Sequence, residues 1–322
     1  MENKSKLSKL YICIPLALFC CFLWGSAFPS IKVGYTLFNI GAEDSYSQLL
    51  FAGIRFFLAG VMVIAVGSLM QKRVLYPKNR LEFGRVALLS LFQTILQYIL
   101  FYIGLAHTSG VKSSILIAVN VFFSILVSTL VFRIERLTVQ KAIGAIVGFV
   151  GIVVINFSAD GFGSGFAFNG EGFMLLSALA YSVSSVLIKK YSESSNTVML
   201  SGWQFLFGGA VMILLGFAAG GRITQIGGIK GILMIIYLAF ISAAAYTIWG
   251  ILLKHNLVSK LSVIGLMNPV FGVLLSAVFL GEAAEAFSRK NLFALILVCV
   301  GIIVVNINFF IKKEKVDKSY AF

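Results

Sequence analysis

Ten stretches of this chain, each about twenty residues long and nearly free of charge, constrain its fold more than any other feature. They run roughly over 10–29, 48–70, 85–106, 113–133, 139–157, 170–189, 198–218, 231–252, 259–280 and 291–311. A helix needs ~20 predominantly apolar residues to cross the hydrocarbon core of a bilayer, so each run is long enough to span. Strands of outer-membrane barrels are about half that length and alternate in polarity; these runs do not. Only 12% of the 322 residues are charged and 59% are hydrophobic. Soluble domains carry ~25% charged residues, so polar side chains could not cover a water-facing surface of this size. The expected class is an all-α integral membrane protein with ten transmembrane helices. Its short connections leave no room for a soluble domain.

The chain also repeats itself. A shift of 148 residues superimposes Tyr98 on Tyr246, His107 on His255, Lys112 on Lys260, Ser114 on Ser262 and Asn120 on Asn268. At a shift of 150, the segment from Gly151 to Asn156 falls on Gly301 to Asn306, and at 147 Phe132 and Glu135 match Phe279 and Glu282. A series in order at nearly constant offset reads as a duplicated five-span unit. One unit covers 1–160, the second 165–311, and a basic tail covers 312–322. Because five is odd, two such units enter the membrane from opposite sides and form inverted repeats. Inverted repeats support alternating access to a site near the midplane.

The net charge of +14 does not indicate a nucleic-acid partner once its placement is read. With the N-terminus in the cytoplasm, 19 Lys and Arg fall in cytoplasmic segments, 6 in external loops and one, Arg55, within a span; the acidic residues divide evenly. That is the positive-inside pattern, and it predicts a plasma-membrane protein with both termini cytoplasmic. The bias is carried by the first two cytoplasmic segments and by Lys312, Lys313, Lys315 and Lys318. Residues 1–29 have a Lys-rich start and an apolar run, but the run holds Trp24 and ends in Ala27-Phe28-Pro29 without a small-x-small cleavage site. It reads as a retained first span. Cys13, Cys20, Cys21 and Cys299 all fall within spans, as small packing residues. Neither zinc-type spacing nor any cofactor motif occurs.

Several local patterns resemble the EamA-type members of the drug/metabolite transporter superfamily. The first span holds Trp24-Gly25-Ser26 followed by Phe28 and Lys32, and the second has Arg55-Phe56 leading into an apolar run. Each half closes with a glycine-spaced helix preceded by a Phe-x-x-Glu turn, ending at Glu135 and Glu282. The second half carries Asn268-Pro269-Val270-Phe271, whereas in the first half Asn120 is followed by Val121. The resemblance extends over essentially the whole chain. It implies transport, frequently metabolite export, with spans one to four and six to nine around the pathway and spans five and ten as buttresses.

Polar residues inside the spans are the candidate site. A charge at the bilayer centre costs ~2.5 kcal/mol or more, which singles out Arg55. Two readings stand side by side: a cation that snorkels outward or holds carbonyls at a helix end, or one facing the central cavity and binding a substrate carboxylate or phosphate. Gln93 and Gln97 share a helix face with Tyr98. Asn120 and Asn268 are repeat equivalents, as are Trp24 and Tyr181; Gln204 lies opposite Arg55 in the repeat, and Tyr246 and Trp249 opposite Tyr98 and Phe101. Amides facing lipid would lose hydrogen bonds without compensation, so the set is expected to point inward, with Gln97, Asn120, Trp249 and Asn268 lining one cavity. Such a lining suits neutral, zwitterionic or mildly anionic small molecules, and less well quaternary ammonium compounds.

No carboxylate lies well inside a span, which removes the obvious proton carrier and leaves coupling to a proton or a counter-substrate open. Glu135 and Glu282 are read as caps of the next helix. The Gly144, Gly148 and Gly151 face is read as packing, Pro269 as a hinge, His107 and His255 as interfacial, and Gly161–Gly165 as a linker. A membrane enzyme is disfavoured by the lack of a zinc-protease His pair, a nucleophile-elbow serine or an intramembrane Asp pair. Export, uptake and exchange are all compatible with inverted repeats, as are monomer and homodimer.

Overall fold

The computed structural model describes residues 10–133, 138–158, 161–162, 166–256, 261, 264–265, 267–301 and 303–304. Glu135, Lys260, Ser262, Asn306, the linker residues Gly163–Gly165 and the basic tail 312–322 lie outside the described residues. Apart from a two-residue strand pairing that sets Phe157 opposite Phe162, the regular structure described is helical. We label the main helices α1 (Leu10–Leu37), α2 (Ser45–Met70), α3 (Arg80–Ala106), α4 (Gly110–Val131), α5 (Val139–Asn156), α6 (Phe168–Ser192), α7 (Thr197–Ala218), α8 (Gly228–His255), α9 (Met267–Phe279) and α10 (289–301). Among the described residues, seven helices are long and apolar enough to cross a membrane: α1–α4 and α6–α8. The described part of α9 is shorter than the run expected over 259–280, and α5 contributes a shorter apolar stretch, Ala142–Gly151.

Local sequence explains where several helices begin. The side chains of Asp44, Asn79, Ser109 and Asn196 accept hydrogen bonds from first-turn N–H groups of α2, α3, α4 and α7. At α3 a second bond adds to the cap, because the Glu82 carboxylate reaches back to accept from the Lys78 N–H at 2.7 Å. Such caps satisfy donors that a helix leaves unpaired at its start. Along their lengths the helices turn large apolar side chains outward, including Val66, Leu69, Leu214, Leu233 and Val278. In water that surface would aggregate; against acyl chains it is the matched solvent.

The tightest seam joins α2 and α7. A Cβ added at Gly53 would lie 2.6 Å from the Ile213 nitrogen and 3.0 Å from the Gly209 oxygen. One added at Gly60 would lie 2.4 Å from the Leu206 nitrogen and 2.9 Å from the Gly202 oxygen. As the chain climbs α2 from 53 to 60, its contact descends α7 from 209 to 202, so the two helices run antiparallel with backbones touching. The same reversal appears between α4 and α9, where Gly110 meets Ser276 and Gly272 meets Ser114. It appears again between α5 and α10, where Gly151 meets Ala294 and Gly301 meets Gly144.

Helices α3 and α4 depart from regular geometry near polar residues, as does the first turn of α6, π-helical over Phe168–Gly172. Ser90–Leu96, inside α3, is a π-helical stretch that carries Gln93 and Thr94. Helix α4 is interrupted at Ala118–Val119 by tight i→i+3 turns, immediately before Asn120. The first half therefore breaks its fourth helix without a proline, although Val121 stands where the second half has Pro269.

Candidate functional site: an aromatic and amide cluster between the helices

Aromatic rings from α1, α2, α3, α7 and α8 converge in the interior. The Trp24 ring lies 5.4 Å from Tyr246 and 5.1 Å from Trp249, both edge-on. Tyr246 also meets Phe205 at 5.2 Å and shares a hydroxyl hydrogen bond of 2.6 Å with Tyr98. Behind Tyr98, Phe56 packs at 4.2 Å and stacks on Phe205 at 5.5 Å. Rings in edge-on contact add about 0.5–1.5 kcal/mol per pair beyond the area they bury. The cluster is consequently a rigid wall.

Unpaired polar atoms accompany these rings. The Trp24 Nε1, the Gln97 Oε1 and the Asn268 Oδ1 are buried and have no hydrogen-bond partner among the described residues. A buried polar group without a partner costs about 1–3 kcal/mol, so three of them on neighbouring helices form a conspicuous cost. Of the four residues expected to line one cavity, Gln97 is buried and Asn120, Trp249 and Asn268 are half-buried. A groove of about 690 Å³ lined by Val153, Val154, Arg289, Lys290 and Phe293 lies between α5 and α10 and includes none of them.

The other sequence candidates divide by what they touch. Arg55 is 2% exposed, and its guanidinium donates to three neutral oxygens. Its Nε donates to the Leu238 carbonyl at 2.9 Å, Nη1 to the Tyr102 hydroxyl at 2.6 Å and Nη2 to Ser242 Oγ at 2.8 Å. The guanidinium also sits 4.7 Å from the Phe56 ring centre. These contacts tie α2 to α3 and α8. Gln204 is drawn into the α3–α7 contact: its side-chain oxygen accepts from Thr94 Oγ1, and its backbone oxygen from Ser90 Oγ at 3.0 Å. Its Nε2 and the Gln93 Oε1 remain without partners among the described residues. Asn120 meets α6 through its backbone oxygen, which accepts from Ser182 Oγ at 2.9 Å. Tyr181 packs against the main core.

Sequence reasoning missed Tyr102, Ser242 and Phe205. Tyr102 had a signal, standing one helical turn beyond Tyr98; Ser242 and Phe205 become meaningful only when α8 and α7 are docked. One expectation is corrected. The Glu282 side chain does not cap the short helix Ala283–Ala286 that follows it. It accepts instead from the backbone N–H groups of Gly110 and Val111, at 3.1 and 2.9 Å. The carboxylate is half-buried against α4, and those first-turn donors are nearer than its own helix.

A multi-pass helical membrane protein with polar and aromatic side chains gathered between its helices is the general form of a membrane transporter. This chain belongs to the EamA-like transporter family, which residues 11–157 and 168–307 match. It is similar to the uncharacterized transporter YvbV of Bacillus subtilis, with 26% identity over 314 residues covering 95% of this chain and 93% of that one. It also resembles the uncharacterized inner membrane transporter YedA of Escherichia coli K12, with 25% identity over 88% of this chain and 90% of that one. Among solved structures, a protein crystal structure superposes with a TM-score of 0.63 over 90% of this chain and 96% of the other, at 18% identity. That likeness concerns the fold. The family is one of transporters, and the chain's chemistry is accordingly translocation rather than catalysis.

Proposed function

We propose that the chain is a secondary transporter that exports small neutral, zwitterionic or mildly anionic metabolites, amino acids or their relatives, by alternating access. Its pathway runs along the cluster of Trp24, Tyr98, Tyr246 and Trp249, with Gln97, Asn120, Tyr181 and Asn268 contributing from adjacent helices. The observation that carries this reading is the unpartnered Trp24 Nε1 beside the Tyr246 and Trp249 rings, together with the unpartnered Gln97 Oε1 on α3 and Asn268 Oδ1 on α9. Donors and acceptors left unpaired at such cost are what a polar solute would satisfy.

The proposed topology is ten crossings in two inverted halves, 1–160 and 165–311, with both termini in the cytoplasm. The antiparallel contacts of α2 with α7, α4 with α9 and α5 with α10 support it. Each pair joins helices five apart in the order, and an odd number of crossings reverses direction. Two separate stretches matching the family, 11–157 and 168–307, support it too. The Lys/Arg bias supports the orientation, in which the α3–α4 loop lies on the outer side.

The test begins with growth. Overproduction should relieve the toxicity of particular metabolite analogues, and the protective set defines the substrate. Counterflow in proteoliposomes then separates exchange from one-way export. Trp249→Ala and Gln97→Ala should each raise the half-saturation concentration at least tenfold while the protein stays folded. Unchanged transport in both would remove the proposed pathway.

A further inference from the structure

The loop between α3 and α4 is held from several sides at once. Lys32, near the end of α1, donates to the Thr108 carbonyl. The Thr108 hydroxyl donates to Glu171 Oε1 at 3.1 Å, and Lys112 Nζ lies 2.6 Å from that same oxygen. The other Glu171 oxygen accepts from the Ala167 N–H at 2.7 Å, so this carboxylate at the start of α6 is 4% exposed and fully engaged. From the opposite side Glu282 accepts from Gly110 and Val111, and Glu285 accepts from the Ser109 hydroxyl at 2.6 Å.

The sequence positions of these partners matter. Ser109, Gly110, Val111 and Lys112 begin α4, whereas Glu171, Glu282 and Glu285 lie 59 or more residues further along, in the second family-matching stretch. A carboxylate at a helix start satisfies orphan N–H groups and complements the helix dipole. A local side chain, Ser109, already caps α4. Glu282 adds a cap from 171 residues away, and its bonds last only while the α9–α10 connection and α4 stay together. Directly beneath, Gly110 and Ser114 touch Ser276 and Gly272, so the α4–α9 seam is shut at this end. Solvent could replace every one of these bonds once the seam opened, which is the property a reversible closure needs.

We infer that the α3–α4 loop is a gate at this end of the pathway, and that Glu282 with Glu285 on one side and Glu171 with Lys112 on the other are its latches. Opening breaks both sets, swings the start of α4 away from α9, and admits water to the seam. The inference rests on the alternating-access reading above.

The test uses the full chain in membrane vesicles of both orientations, with the four native cysteines replaced and a single reporter, Ser114→Cys. Ser114 is fully buried, one turn below the latch. The labelling rate by a membrane-impermeant maleimide is measured from each face. E282Q and E171Q should each raise the rate at least tenfold from the face carrying the loop, and leave the other face unchanged. Because E282Q also removes a helix cap, a second arm keeps both Glu282 and Glu171. The pair S109C and E285C, joined by a short bis-methanethiosulfonate linker through two disulfides, should stop substrate exchange, and reduction of those disulfides should restore it. Labelling rates within twofold of the parent, together with exchange that survives cross-linking, would overturn the gate. A parent protein that exchanges no solute, yet shows the labelling response, would count against the transport reading alone.

Discussion

The hydroxyl oxygens of Tyr98 and Tyr246 lie 2.6 Å apart, and the two residues are separated by 148 positions, the interval of the internal repeat. When two halves are related by a two-fold axis, a residue can touch its own counterpart only on that axis. The hydrogen bond therefore marks where the axis would pass, between α3 and α8, and it stands beside the Trp24 and Trp249 rings.

A double-mutant cycle tests whether the two hydroxyls act as a unit. Tyr98→Phe or Tyr246→Phe alone removes the shared hydrogen bond and should cost about 1–2 kcal/mol of unfolding free energy in mixed micelles. The double variant should cost little more than either single one, giving a coupling near 1 kcal/mol. Strictly additive losses would mean that the bond contributes nothing.

Arg55 offers a second test. Its three bonds need the guanidinium's fork, which a lysine lacks. Arg55→Lys should lower stability by about 2–3 kcal/mol, since charged hydrogen bonds are lost in a buried setting. Tyr102→Phe should lose part of the same amount, because it removes the Nη1 acceptor at 2.6 Å. Thermal denaturation in detergent reads both, and a wild-type midpoint for Arg55→Lys would show that the tie between α2 and α8 is dispensable.

Glycines of two kinds should respond in opposite directions. Gly209→Ala puts a methyl 2.4 Å from the Phe57 nitrogen, and backbone atoms cannot move aside singly, so the α2–α7 seam must part. Overpacking of this kind costs about 1–3 kcal/mol. Gly84 in α3 has nothing within 4 Å of its would-be Cβ, and Gly84→Ala should gain about 0.5–1 kcal/mol from helix propensity. The fraction of monodisperse protein left after heating orders the two variants against the parent.

Asn268 separates stability from function. Its Oδ1 has no partner among the described residues, so Asn268→Leu removes a buried polar cost while roughly keeping volume. Its melting temperature should equal or exceed that of the parent, while transport falls at least tenfold. A variant that transports normally would remove Asn268 from the pathway.

Much of the architecture was legible in the linear chain because the bilayer imposes a simple rule. Backbone groups in lipid must pair within a helix, so apolar length alone announces a span. Seven such helices appear among the described residues. Inward placement of amides was legible for the same reason, and Gln93, Gln97 and Gln204 are all buried. Their partners were not legible. Gln204 is engaged by Thr94 and Ser90, an outcome set by how α3, bulged over Ser90–Leu96, meets α7.

Glu282 shows the same division in a single residue. Its sequence neighbours make it a plausible cap for the helix it precedes, and local pattern holds no competing signal. Tertiary packing brings the start of α4 within reach, and two unpaired N–H groups capture the carboxylate. By itself the sequence determined the solvent, the helical class and the family, because each depends on composition or order along one dimension. Only the tertiary structure decided that Arg55 ties helices together, that Tyr98 meets Tyr246, and that the Glu282 carboxylate closes across a seam. Those outcomes depend on distances between segments, and hydrogen bonds form within about 3 Å regardless of separation along the chain.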